Sequence, residues 1–426
     1  MRLLYLHQPY SGPRGAISTR AHAMASALAA AGHEVTLACG GYAGADPGIG
    51  GPFRMGRRAG WSEGGFRVVQ FATPGGNAAP LAERALGFAG FAAAATPLAL
   101  RRWDGIIASS PPLPAVLPAL AARLLRGTPF LFEIRDPWPE LPRAMTRWLR
   151  QTGRGRGLPG PVLSAMGPLA AAACRHASAV AALSEGMAET ALARGADPGR
   201  VAVIPNGCDL GLFGPAVPPA RPEAAAPGEV LAVYAGAHGL ANGLDLLLEA
   251  ARLLAARGER RLRLLLVGEG AEKPRLLARA AALGLPNLTF LDPMPKPALA
   301  GLLAGSQIGL QCLAPVPEFG EWTSPNKAMD YLAAGLPVVA AQGGAMARLL
   351  AGPPPAGIAT PPGDPAALAE ALAALAADPA RREAMGRAAR RLAETRFDRG
   401  TQAARFVALA EAAFARPLPR RLPAPA

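Results

Sequence analysis

Short apolar runs alternate with helix-length amphipathic segments along nearly the whole chain, and they do so in two series. The first series runs Arg2–His7, a helix over Gly15–Ala31 ended by Gly32, then Glu34–Ala38, Ile106–Ala108, Phe130–Ile134, Val180–Ala182 and Val201–Ile204. The second runs Val230–Gly236, helix Gly243–Ala256, Leu262–Gly268, helix Lys273–Leu283, Leu288–Leu291, Ile308–Leu313 and Pro337–Ala340, closed by helices over Pro365–Ala377 and Pro379–Phe397. Strands buried on both faces read as continuous apolar runs, and strand–helix alternation requires a parallel sheet covered by helices. The expected class is therefore α/β, with two Rossmann-like domains. Between the series, Leu212 to Gly228 contains Pro215, Pro218, Pro219, Pro222 and Pro227, the composition of a linker. This division predicts an N-terminal domain over 1–211, a linker over 212–228, a C-terminal domain over 229–396 and a disordered tail over 417–426. Two such halves place ligands at the strand ends, in a cleft between them.

The 426 residues fit two or three domains of ordinary size. The formal charge is +14, and its excess is arginine, since Lys273, Lys296 and Lys327 are the only lysines. Such a surface attracts anions. Aromatics are only 5% and no aromatic-and-basic RNA-binding motif occurs, so a nucleic-acid partner is not expected. Cys39, Cys174, Cys208 and Cys312 are isolated and show no metal-ligand or disulfide spacing, which points to a reducing cytoplasm. The N-terminus enters a strand at once and does not read as a signal peptide. The uncharged stretches 85–100 and 157–174 read as buried or interfacial: the first is shorter than the roughly 20 residues a spanning helix needs, and three prolines break the second.

The segment Ser324-Pro325-Asn326-Lys327-Ala328-Met329-Asp330 through Val339 carries the most chemistry. It reads as a loop, a short helix, a glycine stop at Gly335 and a buried strand. Ser324 is placed to cap the helix and Pro325 suits its first turn. The free N–H groups there face an anion, Lys327 adds a charge, and Asp330 one turn on is placed for sugar hydroxyls. Phosphates first and ribose second would suit a nucleotide-sugar; an ordinary αβ unit with solvated Lys and Asp fits equally.

Other strand ends add candidates. His7 to Gly15 follows the first strand without GxGxxG spacing, which argues against a dinucleotide enzyme and leaves either a ligand loop at Gly15 or a plain turn. Glu133-Ile134-Arg135-Asp136 gathers charge at a strand end: Asp136 is a candidate acceptor for a hydroxyl proton and Arg135 its orienting or phosphate-binding partner, unless these groups form a buried ion pair. In the second half, Gly236, His238 and Asn242 form a small-residue cradle after a strand, Gly268-Glu269-Gly270 with Lys273 repeats that geometry, and Asp292 ends the next strand.

Asn206-Gly207-x-Asp209, Gly268-Glu269-Gly270, Asp330-Tyr331-Leu332-Ala333-Ala334-Gly335-x-Pro337-Val338-Val339 and Pro361-Pro362-Gly363-Asp364-Pro365 occur in order. Together they resemble retaining GT-B glycosyltransferases of family four over nearly the whole chain. Asp136-Pro137-Trp138-Pro139 with Ser324-Pro325-Asn326-Lys327 looks like the WbuB-like branch of bacterial fucosamine transferases. The resemblance implies two Rossmann-like domains facing across a cleft, with a last helix, about 397–416, crossing back to the N-terminal domain. It implies transfer of a sugar, an N-acetylated amino sugar among the candidates, from a UDP-linked donor to a saccharide or polyprenyl-diphosphate-linked acceptor in cell-surface polysaccharide synthesis. Ser324, Asn326 and Lys327 would hold the diphosphate and Asp330 the ribose, with Gly15, Gly236, His238, Asn242, Lys273 and Asp292 completing the donor site. No cofactor and no metal are implied. The motif's first acid falls on Trp322, leaving Glu321 as its nearest carboxylate. Ala237 and Asn242 stand where relatives carry Arg and Lys, and Arg135 where many carry His. Two other readings remain open: a sugar-nucleotide 2-epimerase of the same fold, and a non-catalytic assembly subunit. Arg143, Arg147, Trp148, Arg150, Arg154 and Arg156 suggest attachment to an anionic membrane surface, so a peripheral position on the inner face of the cytoplasmic membrane is expected.

Overall fold

The structure is a computed structural model. It describes residues 1–12, 19–41, 46–76, 79 and 81–415, with only the backbone at 81 and 82. Gly15 and the 417–426 tail lie outside the described residues. The chain forms two compact units: Met1–Pro205 with the C-terminal residues from Gly400 onward, and Asn206–Arg399.

The first unit runs β1 (Arg2–Leu6), α1 (Arg20–Ala30), β2 (Glu34–Gly40), β3 (Arg57–Trp61), β4 (Arg67–Phe71), α2 (Leu81–Ala99), β5 (Gly105–Ser110), α3 (Leu117–Arg126), β6 (Phe130–Ile134), α4 (Glu140–Gln151), α5 (Gly160–His176), β7 (Ala179–Ala182), α6 (Glu185–Ala193) and β8 (Val201–Val203). Its sheet has the order β3-β4-β2-β1-β5-β6-β7-β8, parallel throughout except for the β3–β4 pair. Period-2 side-chain direction sorts β1 onto two cores. Leu4 and Leu6 join the cluster under α2, α3 and α5, whereas Leu3 and Tyr5 join the cluster under α1. β3 and β4 were not foreseen. β3 reads Arg-Arg-Ala-Gly-Trp and alternates exposed with half-buried positions, so it carries no apolar run.

The second unit runs β9 (Val230–Ala235), α7 (Asp245–Ala256), β10 (Leu262–Val267), α8 (Lys273–Leu283), β11 (Leu288–Leu291), α9 (Lys296–Ala304), β12 (Ile308–Cys312), α10 (Phe319–Trp322), α11 (Asn326–Ala333), β13 (Val338–Ala341), α12 (Gly344–Leu350), β14 (Gly357–Ala359), α13 (Pro365–Ala377) and α14 (Pro379–Arg396). Its sheet, β11-β10-β9-β12-β13-β14, is parallel at every pair.

The chain passes from the first unit to the second at Pro205–Asn206, earlier than the expected 211/212 boundary. The Pro-rich 212–228 segment is not a free linker. Phe213 is 2% exposed in the second unit's core, and the Ala220 N–H donates to the Gly301 carbonyl at 2.8 Å. Turns at Gly214–Val217 and Pro222–Ala225 fold it back on itself. The last helix, α15 (Arg399–Ala415), belongs to the first unit. Phe406 is fully buried and stacks on Tyr5, with ring centroids 6.2 Å apart. Gly105 makes room for Phe414: a Cβ there would lie 2.4 Å from the ring. Among the described residues, no helix is long and apolar enough to cross a membrane.

Candidate functional site

In each sheet, chain order reverses beside one strand, β9 in the second unit and β1 in the first. Loops leaving the carboxyl ends at such a switch point diverge and leave room for a ligand.

In the second unit, β9 delivers Gly236, and the cradle beyond it meets the start of α11, which lies between β12 and β13. Lys327 Nζ donates to Asn242 Oδ1 at 3.0 Å and lies 4.8 Å from the centre of the Tyr234 ring. Gly236 is what admits it: a Cβ at that position would stand 2.7 Å from Lys327 Cε. Among the described residues Lys327 has no carboxylate partner. Burial pushes its pKa down to about 8. Beside it, the N–H groups of Asn326, Lys327 and Ala328 precede the helix's first i→i−4 bond, from Met329 N to Pro325 O, and so remain available to an acceptor.

His238 sits under the same loop, fully buried, with neither ring nitrogen bonded. Burial, followed by nearby Lys273, lowers its pKa to about 4, so it is neutral near pH 7 and has one N–H to give. Its position is fixed by backbone: its N–H donates to the Glu269 carbonyl at 2.8 Å and its carbonyl accepts from Glu272 at 3.0 Å. Gly268 has φ +141, and a Cβ there would fall 2.0 Å from the Gly236 carbonyl oxygen. The two glycine turns thus interlock, which is the physical content of the Gly268-Glu269-Gly270 motif.

Several expected roles are altered by partners that local spacing did not reveal. Ser324 does not cap α11. Pro325 takes the cap position with no side-chain bond, and Ser324 Oγ accepts instead from the Asn206 N–H at 3.2 Å while its carbonyl accepts from Asn206 Nδ2. Asn326 opens the helix. Asp330 is 4% exposed and its Oδ2 accepts from Lys296 Nζ, itself 5.4 Å from the Phe213 ring centre, so one oxygen of its carboxylate is already engaged. Lys273 bonds Asp292 at 2.9 Å and Glu269 at 3.2 Å. Burial opposes its charge, and these bonds overcome it to leave its pKa raised. Lys273 is therefore committed to two carboxylates, while the Asp292 side chain stays 92% exposed. Glu321 accepts two bonds from Arg348, at 2.8 and 2.6 Å, which lower its pKa. It borders a cavity of about 170 Å³ together with Phe319, Gln342 and Gly344. A base already held by a fork of two N–H groups is a poor proton acceptor, so the catalytic role expected of Glu321 is not supported.

In the first unit, Arg135 and Asp136 follow β6. The ion pair is not Glu133–Arg135. Arg20, 3% exposed, gives its Nε–H to Glu133 at 2.9 Å and its other donors to the carbonyls of Ile204 and Pro205. Tyr5 and Ser109 hydroxyls complete the Glu133 shell at 2.9 and 2.7 Å. Burial alone would raise the Glu133 pKa, but Arg20 and then Arg135 overcome it and hold it at about 2. Arg135 Nη1 lies 3.0 Å from His7 Nε2. Because Arg only donates, His7 accepts and is neutral, in keeping with a pKa lowered to about 3 by burial and by Arg135. Asp136 is half-buried and its pKa is raised to about 6 by burial, against the pull of Arg135. Arg20, Tyr5 and His7 were missed because their partners are distant in sequence.

Arg143, Arg147 and Arg150 line the exposed face of α4, and Arg154 and Arg156 are exposed beyond it. Trp148, expected to face a membrane, is 9% exposed and lies under the Arg154 guanidinium at 5.6 Å. It packs inward because the i, i+4 spacing that turns the arginines out turns Trp148 in.

Residues 15–207 match the sequence family described as "Glycosyl transferase 4-like domain", and residues 229–378 match "Glycosyl transferases group 1". The chain is 34% identical over 206 residues to a protein of Kribbella flavida named D-inositol 3-phosphate glycosyltransferase, which covers 46% of this chain and 47% of that protein. The chain spans about half the length of the curated relatives it matches. Its fold is similar to that of a sucrose-phosphate synthase from Thermosynechococcus elongatus, with a TM-score of 0.70 at 20% identity over 97% of this chain and 98% of that one. It is also similar to Anabaena HepE, solved with UDP and glucose, with a TM-score of 0.65 at 18% identity over 95% and 98%.

Proposed function

We propose that this chain, whose two units are the paired domains of a GT-B glycosyltransferase, moves a sugar from a UDP-linked donor to a hydroxyl acceptor with retention of anomeric configuration. The second unit holds the donor. The observation that carries this reading is Lys327: a cation with no carboxylate, set beside open helix N–H groups and a glycine that lets it approach. Such a group loses little by waiting for a diphosphate and gains a charge-assisted bond when one arrives. Charge grows on the leaving diphosphate as the glycosidic bond breaks, so Lys327 and the α11 N–H groups act most strongly late in the reaction. His238 supplies one neutral N–H to the same group. In the first unit, Asp136 and Arg135 recognise the acceptor. The retaining course is same-face substitution, in which a donor phosphate oxygen takes the acceptor's proton.

The acceptor is a saccharide or lipid-linked saccharide of surface-polysaccharide assembly, and an N-acetylated amino sugar is the favoured cargo. The name carried by the curated relatives favours a second reading, an inositol phosphate acceptor. The exposed arginines of α4 support peripheral attachment to an anionic membrane. UDP-, GDP- and ADP-sugars are screened for a rise in melting temperature, since a ligand that binds only the folded state stabilises it. Hits are then incubated with each acceptor class and products identified by mass. A UDP-sugar should stabilise the wild type and not Lys327→Ala. Equal stabilisation of both proteins would remove the donor site from Lys327.

A further inference from the structure

A cavity of about 450 Å³ opens at the β3 edge of the first unit's sheet, within the range of small-molecule sites. Its floor is Thr36, Ala59 and Val69, and the end of α2 walls it through Leu98. Six arginines line it, Arg2, Arg54, Arg57, Arg58, Arg67 and Arg101, against one carboxylate, Glu34. That carboxylate is taken by Arg2 at 3.2 Å, and the Arg2 guanidinium also stacks 5.6 Å from the centre of Trp103. Arg58 is held by Gln70 at 2.7 Å and the Gly51 carbonyl at 3.3 Å. Arg54, Arg57, Arg67 and Arg101 have no carboxylate partner among the described residues.

Some arginines elsewhere meet acids: Arg263 with Glu229, Arg275 with Asp245 and Glu272, Arg348 with Glu321. At the cavity arginines are set against one another. A tight turn joins Arg54 to Arg57 by reciprocal backbone bonds of 2.7 and 3.1 Å, which sets two like charges directly opposite. Like charges so placed are destabilising. The same turn holds Met55 at φ +48, left-handed backbone that a side chain seldom adopts. Repulsion kept in one exposed hairpin suits an anion that neutralises it.

We propose that this cavity binds a ligand carrying two or more phosphate groups. Forked guanidinium donors match phosphate oxygens two at a time, and four unpaired guanidiniums exceed what a single phosphate can satisfy. The cavity lies at the opposite side of β1 from β6, which carries Arg135 and Asp136, and it is independent of Lys327. The same chemistry is found on a free di- or oligophosphate and on a lipid headgroup that carries two phosphates.

The test uses the full-length protein in three forms: wild type, Arg57→Gln/Arg67→Gln and Lys327→Ala. Both cavity substitutions fall on exposed side chains, and an unchanged melting curve verifies the fold. Inorganic pyrophosphate is titrated calorimetrically, and co-sedimentation is measured with cardiolipin-containing vesicles, whose headgroup carries two phosphates, and with phosphatidylcholine vesicles. Pyrophosphate affinity about tenfold weaker in the double variant and retained in Lys327→Ala supports the cavity with a free phosphate ligand. Loss of sedimentation with the anionic vesicles alone supports it with a headgroup ligand. Arg57→Lys/Arg67→Lys should restore part of either signal. If the double variant matches wild type in both assays, the proposal is overturned, whatever Lys327→Ala does.

Discussion

Lys327 is a lysine whose charge is conditional. With its pKa near 8, it is a cation below that pH and neutral above it, and the diphosphate proposed to bind there needs the cation. The KM for the donor is therefore expected to climb as pH rises past about 8, approaching tenfold per unit, with a smaller change in Lys327→Arg, whose charge persists. Stability moves the other way. An unfolded lysine titrates near 10.4, so between about 8 and 10.4 the unfolded state binds more protons and stability rises with pH. A donor KM flat from pH 7 to about 9.5 in wild type would place the phosphates elsewhere. Asp136 gives a second handle. Its carboxyl, raised to about 6 by burial, is costly in charged form at neutral pH, so Asp136→Asn should raise the melting temperature at pH 7.5 and leave it unchanged near pH 4, where both side chains are neutral.

At the scale of elements, the loop after β9 and the loop after β10 are two glycine turns locked together. Gly236→Ala meets only the end of a lysine side chain, which can move. It should fold, with a donor KM raised about as far as in Lys327→Ala. Gly268→Ala meets backbone at 2.0 Å with φ +141, and should cost at least about 2 kcal/mol by chemical denaturation. This loop also shows what is readable without coordinates. Gly236, Gly268 and Lys327 were legible because a strand end, a glycine and a helix start announce an anion cradle locally. The strands β6, β11 and helices α8 and α13 fell where their apolar periodicity placed them. What stayed hidden was pairing. Asp330 with Lys296, Glu321 with Arg348 and Glu133 with Arg20 join residues that no local pattern connects, and each pairing changes a role read from position alone. β3 was hidden for another reason: an edge strand covered on one face needs no apolar run.

Across the whole molecule, each unit carries its own keystone. In the first it is Glu133, fully buried, which holds Arg20, Tyr5 and Ser109 together. Glu133→Ala leaves the Arg20 charge buried, at a cost of about 3–5 kcal/mol. Since the Glu133 pKa is depressed to about 2 from an unfolded value near 4.5, its stabilisation is complete above about 4.5 and lost as pH falls toward 2. Hydrogen exchange should show Glu133→Ala loosening peptides of 1–205 and 400–415, with peptides of 206–399 unaffected. Uniform loosening would mean that the two units unfold as one.

Helix α15 gives the molecule an order of assembly. The residues of the second unit form one uninterrupted stretch, and all of them are synthesised before the Phe406 that seals Tyr5. The half that begins first is thus finished last, and until then the β1 face around Tyr5 is open to water. A chain truncated after Arg399 should carry a protease-resistant 206–399 segment beside a first unit that is still cleaved, and restoring the final helix should close it.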